Sequence, residues 1–198
     1  MQEGHYKFIH SGPLLFQSAL FKKDIKDLLS LCKKHKKISM RDNLAGVIDD
    51  EYKITDQESV NAILSKYYDN FCQVYNHWYG VAPTSVSIVE SWTNFMKAGE
   101  YNPPHVHTDC NFSSVFYLDV PTKISEEHKN FRGRGTKPGQ IVFNMASYLE
   151  GNISVCSHTP VTGDFFMFPS TLIHHVNPFK SKVTRISMAI NFNVGIQK

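Results

Sequence analysis

Two imidazoles and a carboxylate are the residues of this 198-residue chain whose types best suit a metal: His107 and Asp109 in His107-Thr108-Asp109, and His174 in Phe168-Pro169-Ser170-Thr171-Leu172-Ile173-His174. Such a set occupies one face of a divalent iron and leaves the other face open. Side chains two apart in an extended strand point the same way, so His107 and Asp109 can share a face. The third donor must then come from a distant strand. Eleven residues after His174 stands Arg185, opening the apolar run Arg185-Ile186-Ser187-Met188-Ala189-Ile190-Asn191-Phe192. A cation buried there requires an anionic partner, because an unpaired buried charge is prohibitively costly. Triad and arginine together predict an iron site with a dicarboxylate co-substrate beside it.

His105 keeps the ligand choice open. His105 and His107 have the same two-residue spacing, so His105 is an alternative ligand in place of Asp109, or a group that orients ligands or substrate. A carboxylate favours His107 with Asp109, since it lowers the charge of the site and suits a hard ferrous ion. An all-histidine set points instead to another metal or to different cupin chemistry. His174 and His175 fall on opposite faces of a strand, so only one of them can reach the metal. Arg185 offers a planar fork that holds both oxygens of a carboxylate, and Ser187, two residues on, adds a hydroxyl on the same face. The plain alternative is an arginine at a strand's start paired with Asp164 or another acid. Tyr117 and Asn94 are further candidates for the co-substrate pocket, with ordinary core packing an equal alternative for both. Trp92 reads as a core anchor.

The elements that must position these groups divide the chain in two. Phe21, Ile25, Leu28, Leu29 and Cys32 recur at helical spacing on a lysine-rich segment. A second helix opens at Thr55-Asp56-Gln57-Glu58, which has the form of a capping box. It carries Val60, Ile63, Leu64, Tyr67, Tyr68, Phe71, Cys72 and Tyr75 on one face and ends before Gly80. From Thr84 the pattern becomes short apolar runs between Gly, Pro and Asn, at 86–95, 113–120, 140–143, 153–157, 164–168 and 185–194. Short strands after two helices predict a mainly β fold: a double-stranded β-helix, or jelly roll, a cupin-like barrel buttressed by the N-terminal helices. The expected organisation is a single domain over 1–198, helical to about 80 and a barrel from about 84. His107 and Asp109 would leave the Pro103-Pro104 turn, and 121–138 forms one long polar loop.

Composition sets the outer bounds. Apolar residues make up 41% and charged residues 20%, ordinary values for a soluble globular protein. A net charge of +3 is no argument for nucleic acid, and the excess is local, with lysines 22–37 around the first helix and arginine occurring only four times. That lysine run reads as a solvated helix face. Four cysteines without a CxxC pair fit reduced thiols. No segment has the order of a signal peptide and no apolar run is long enough to cross a bilayer. The expected location is the cytoplasm, the host's if the chain is phage-encoded. The sequence leaves oligomeric state open.

The order HxD, then His, then Arg about ten residues on resembles the Fe(II)/2-oxoglutarate-dependent dioxygenases. More narrowly, Ser91-Trp92-Thr93-Asn94, His105-Val106-His107-Thr108-Asp109 with Ser113-Ser114-Val115-Phe116-Tyr117-Leu118, and Phe168 to Val176 look like a compact microbial and phage branch of 2-oxoglutarate oxygenases, distantly similar to prolyl 4-hydroxylases. The likeness runs from about residue 41 to 198, with Asn191-Phe192-Asn193 also in pattern. Members of that branch often carry Asn where this chain has Asp109. The resemblance selects His174 over His175 as third ligand and assigns Arg185 to the distal carboxylate of 2-oxoglutarate, where prolyl hydroxylases often use a lysine. It implies Fe(II), 2-oxoglutarate and O2, with ascorbate as an optional reductant, and a reaction that couples decarboxylation to hydroxylation of a prime substrate, peptidyl or small-molecule. Two other classes remain: a cupin-type metal protein or isomerase using His105, His107 and His174 without 2-oxoglutarate, and a non-catalytic barrel module. An inward Arg185 discriminates against the first, and the intact ligand set argues against the second.

Overall fold

The computed structural model describes residues 12–146 and 153–196, so the first eleven residues of the expected helical part lie outside the described residues. The elements run β1 (Phe16–Ala19), α1 (Lys22–Lys34), a 3-10 turn (Arg41–Asn43), β2 (Glu51–Lys53), α2 (Gln57–Tyr79), β3 (Pro83–Met96), β4 (Asn102–His105) and β5 (Phe112–Asp119). Then come α3 (Thr122–Glu126), a second 3-10 turn (Glu127–Asn130), β6 (Ile141–Ala146), β7 (Ile153–His158), β8 (Asp164–Pro169), β9 (His174–Val176) and β10 (Arg185–Ile196). The strands pair antiparallel in two sheets, ordered β1-β8-β5-β10-β3-β2 and β4-β9-β6-β7. This is the jelly roll expected from the sequence. Among the described residues no helix is long and apolar enough to cross a membrane.

Alternation along the strands divides the core between two layers. Phe165 and Met167 of β8, Phe116 and Leu118 of β5, and Met188, Ile190 and Phe192 of β10 face the helices, where they meet Leu64, Tyr67, Tyr68 and Phe71 of α2. Their neighbours Phe166, Phe168 and Tyr117 face inward and pack on Ile141, Phe143 and Val176 of the second sheet. Full burial of each such ring contributes about 1.5–3 kcal/mol, and the T-shaped Phe71–Phe112 and Tyr68–Phe192 pairs lock α2 to the sheet. The helices are tied to each other by buried Asp24, which accepts a hydrogen bond from Tyr67 and pairs with Lys66 at 2.6 Å.

Two local expectations are corrected. The cap of α2 is Asp56 rather than Thr55: its carboxylate accepts from Ser59 N at 3.1 Å and Ser59 Oγ at 2.8 Å, while Thr55 Oγ1 bonds His35 Nδ1 at 3.3 Å. The segment 121–138 is not a structureless loop, because buried Ile124 anchors α3 and Glu127 accepts from the backbone of Lys180 and Ser181. All four cysteines are free thiols.

Candidate metal centre

Between the sheets lies a cavity of about 310 Å³. Its floor is the inward face of the large sheet, where alternate residues of β3 (Trp92, Asn94) and β10 (Arg185, Ser187, Ala189) point in, joined by Tyr117 of β5 and Glu51 of β2. The second sheet supplies His105 from β4 and His174 from β9.

Three imidazoles converge there. His105 and His174 are direct partners across β4 and β9, and His107 follows just beyond the end of β4. Their ligand nitrogens lie within 4.8 Å of one another, and His107 Nε2 is 3.3 Å from His174 Nε2. Two nitrogens in adjacent positions of one metal, each bonded at about 2.0–2.1 Å, would stand roughly 3 Å apart, so the set fits an ion. Its orientation is fixed from behind: His105 Nδ1 lies 2.7 Å from Pro103 O, and His174 Nδ1 2.9 Å from Leu172 O. Donation from Nδ1–H to a carbonyl leaves Nε2 as the lone-pair nitrogen, the arrangement that metal-binding histidines use. Burial, reinforced by the neighbouring imidazoles, pushes His107 down to about 4 and His174 down to about 3. Both rings are therefore neutral near pH 7 and able to ligate.

Asp109 is placed differently from its expected role. It lines the mouth of the same cavity but is exposed and stands outside the group formed by His105, His107 and His174. The physical reason is local. Strand β4 stops at His105, and Asp109 has φ of 61°, a left-handed conformation that ends the two-residue alternation. His175 is half-buried on the alternate face of β9, as expected.

Arg185 is the basic group of the cavity floor. It is 2% exposed, and among the described residues it makes no ion pair. The acid that the sequence offered as its partner, Asp164, is bonded to His158 at 2.8 Å instead. Arg185 donates Nη1–H to Gly139 O at 3.0 Å and Nη2–H to Met96 Sδ at 2.7 Å, while Nε has no acceptor. The guanidinium lies 5.4 Å from the ring of Tyr117, whose hydroxyl is also without a partner and whose pKa burial pushes up to about 12. A buried guanidinium and a phenol, both without an acid partner among the described residues, share one wall with Ser187, a grouping whose chemistry suits a carboxylate.

Comparisons with known proteins give the family. A family model described as "Putative 2OG-Fe(II) oxygenase" matches residues 90–191, slightly more than half of the chain. The chain belongs to the 2OG-Fe(II) oxygenases. It is a 2-oxoglutarate- and iron-dependent oxygenase, and Fe(II) and 2-oxoglutarate are its cofactors. No curated protein sequence matches it. Among solved structures it is similar to a prolyl-4-hydroxylase from Pseudomonas putida (16% identity, 90% of this chain, 92% of that one, TM-score 0.58). It is also similar to a prolyl hydroxylase from Trichoplax adhaerens in complex with a hypoxia inducible factor peptide (13%, 92% and 83%, 0.56). A third is the non-heme α-ketoglutarate-dependent epimerase SnoN of nogalamycin biosynthesis (11%, 90% and 76%, 0.56). At these identities the likeness is one of fold.

The oxygenase's cavity also holds residues that the sequence did not single out. Glu51, on a three-residue strand, had no periodic signal to mark it, and only the pairing of β2 with β3 brings it in. The segment at Arg41-Asp42-Asn43 reaches the cavity through Asn43 and the following Leu44, Ala45 and Gly46, whereas no residue of 121–138 lines it.

Proposed function

We propose that this oxygenase is a hydroxylase in which His105, His107 and His174 hold the iron and Arg185, with Ser187 and Tyr117, holds the distal carboxylate of 2-oxoglutarate. The observation that carries this reading is the buried, acid-free Arg185 in the same cavity as three inward-tied imidazoles. Asn94, beside Ser187 across β3 and β10, lies on the same floor. Asp109 is left as a mouth residue, available to hydrogen-bond a ligand from outside the imidazole set.

Iron bound here supplies the redox chemistry of O2 activation. The chain's own contribution is positional. Arg185 would hold one end of the diacid in the cavity that the imidazoles also line. Val115, Ile141, Trp92 and Val176 line the cavity with apolar surface and exclude water from it. The overall change is 2-oxoglutarate plus O2 plus substrate C–H to succinate, CO2 and substrate C–OH, one oxygen atom entering each organic product. Ascorbate would serve only as an accompanying reductant.

An anaerobic titration tests this. Fe(II) followed by 2-oxoglutarate should give a visible metal-to-ligand charge-transfer band that His174→Ala abolishes. The second reading, a cupin-type metal protein without 2-oxoglutarate, draws on the all-imidazole set; it requires iron binding with no band, and an Arg185→Ala protein indistinguishable from the parent.

A further inference from the structure

At the opposite edge of the cavity floor from Tyr117, two buried acceptors stand side by side without a hydrogen-bond partner among the described residues. Glu51 is 1% exposed and Asn94 6%, and Glu51 Oε2 and Asn94 Oδ1 both lack a hydrogen-bond partner. The two residues are direct cross-strand partners on β2 and β3, so their side chains share a face, and both line the cavity. The chain passes closely over Glu51: a Cβ on Gly46 would stand 3.1 Å from Glu51 Oε1. A buried acceptor left unpaired costs about 1–3 kcal/mol, and more when charged. Burial, helped by nearby Glu100, pushes the Glu51 carboxyl up to about 7.

No cation among the described residues pairs with this carboxylate. The cationic side chain two residues away, Lys53, is committed to Glu90 at 2.8 Å, and Lys97 to Asp50 at 2.6 Å. The floor is therefore polarised. Along one register row run Glu51, Asn94, Ser187 and Tyr117, with Arg185 beside the Ser187–Tyr117 end. At about 4.8 Å per strand, the backbone of Glu51 lies on the order of 10 Å from that of Ser187. A dianionic co-substrate is drawn to the arginine end and repelled by the acid end, which leaves Glu51 and Asn94 for a second ligand.

We infer that Glu51 and Asn94 recognise the prime substrate, and that the substrate presents to them a protonated nitrogen with at least two N–H donors: an ammonium, amidinium or guanidinium group. This deepens the oxygenase reading above and rests on it for the identity of the cavity. One N–H meets Glu51 Oε2 and another Asn94 Oδ1. Asp109 at the mouth adds negative potential along the entry path.

The test uses metal-free protein and methylguanidinium chloride, followed through the indole N–H resonance of Trp92, which lines the cavity. Methylguanidinium should shift that resonance saturably, and Glu51→Gln should weaken its binding at least tenfold. Tetramethylammonium, with the same charge and no N–H, should bind at least tenfold more weakly than methylguanidinium. Glu51→Gln keeps the shape of the side chain and removes a buried acid, so a thermal melt at or above that of the parent confirms the fold. Equal binding in Glu51→Gln, no saturable shift in the parent, or equal response to tetramethylammonium overturns the inference. These outcomes are independent of the charge-transfer band, whose absence would instead sink the 2-oxoglutarate assignment.

Discussion

His105 and His174 face each other across β4 and β9 with ring centroids 4.3 Å apart, and each ties its Nδ1 to the carbonyl of the residue two before it, Pro103 and Leu172 respectively. The same backbone device on two strands presents two Nε2 atoms to one point, and His107 completes the set. This predicts that His105→Ala and His174→Ala each weaken Fe(II) binding by about tenfold or more, while Asp109→Ala retains it. Anaerobic calorimetry or metal analysis after gel filtration decides. Loss of iron in Asp109→Ala with retention in His105→Ala would restore the carboxylate as ligand.

Arg185→Ala should lose 2-oxoglutarate and keep iron. Truncating one partner of a buried charge pair costs on the order of 2–5 kcal/mol, roughly thirtyfold or more in Kd. Arg185→Lys restores the charge without the fork and should recover only part of the affinity. Calorimetric titration of 2-oxoglutarate into the Fe(II)-loaded variants measures both.

The Glu51 carboxyl is raised from 4.5 to about 7, by burial first and Glu100 second. The folded protein keeps a proton that the unfolded chain releases, so the associated stability is whole below about pH 4.5 and is lost as pH rises through about 7. Glu51→Gln cannot ionise. Thermal melts of the metal-free proteins should show the variant gaining on the parent between about pH 5 and pH 8, with the difference vanishing near pH 4. A pH-independent difference between the two would contradict the assigned burial of the charge.

Asp56→Ala should cost about 1 kcal/mol, the usual contribution of a helix N-cap, whereas Thr55→Ala should cost distinctly less. Denaturant unfolding of the two variants compares them directly, and the reverse order would return the cap to Thr55.

Periodicity made the large elements legible. The 3.6-residue face from Val60 to Tyr75 marks α2, and the apolar runs mark β3, β5, β8 and β10, because each of these buries a full face and its burial pattern is written into neighbouring positions. Strand β4 was hidden. Its sequence Asn102-Pro103-Pro104-His105 reads as a turn, yet β4 is the edge of its sheet, where a proline without an N–H is tolerated. By itself the sequence determined the barrel and marked Arg185, His107 and His174 as residues whose types suit an anion and a metal. It did not decide between His105 and Asp109, since both lie two residues from His107. The tertiary structure decided where those two side chains stand, by ending β4 at His105 and turning the chain left-handed at Asp109. Glu51 belongs to the same class: a single acid on a short strand acquires its meaning only when strand pairing buries it beside Asn94, a contact 43 residues away in sequence.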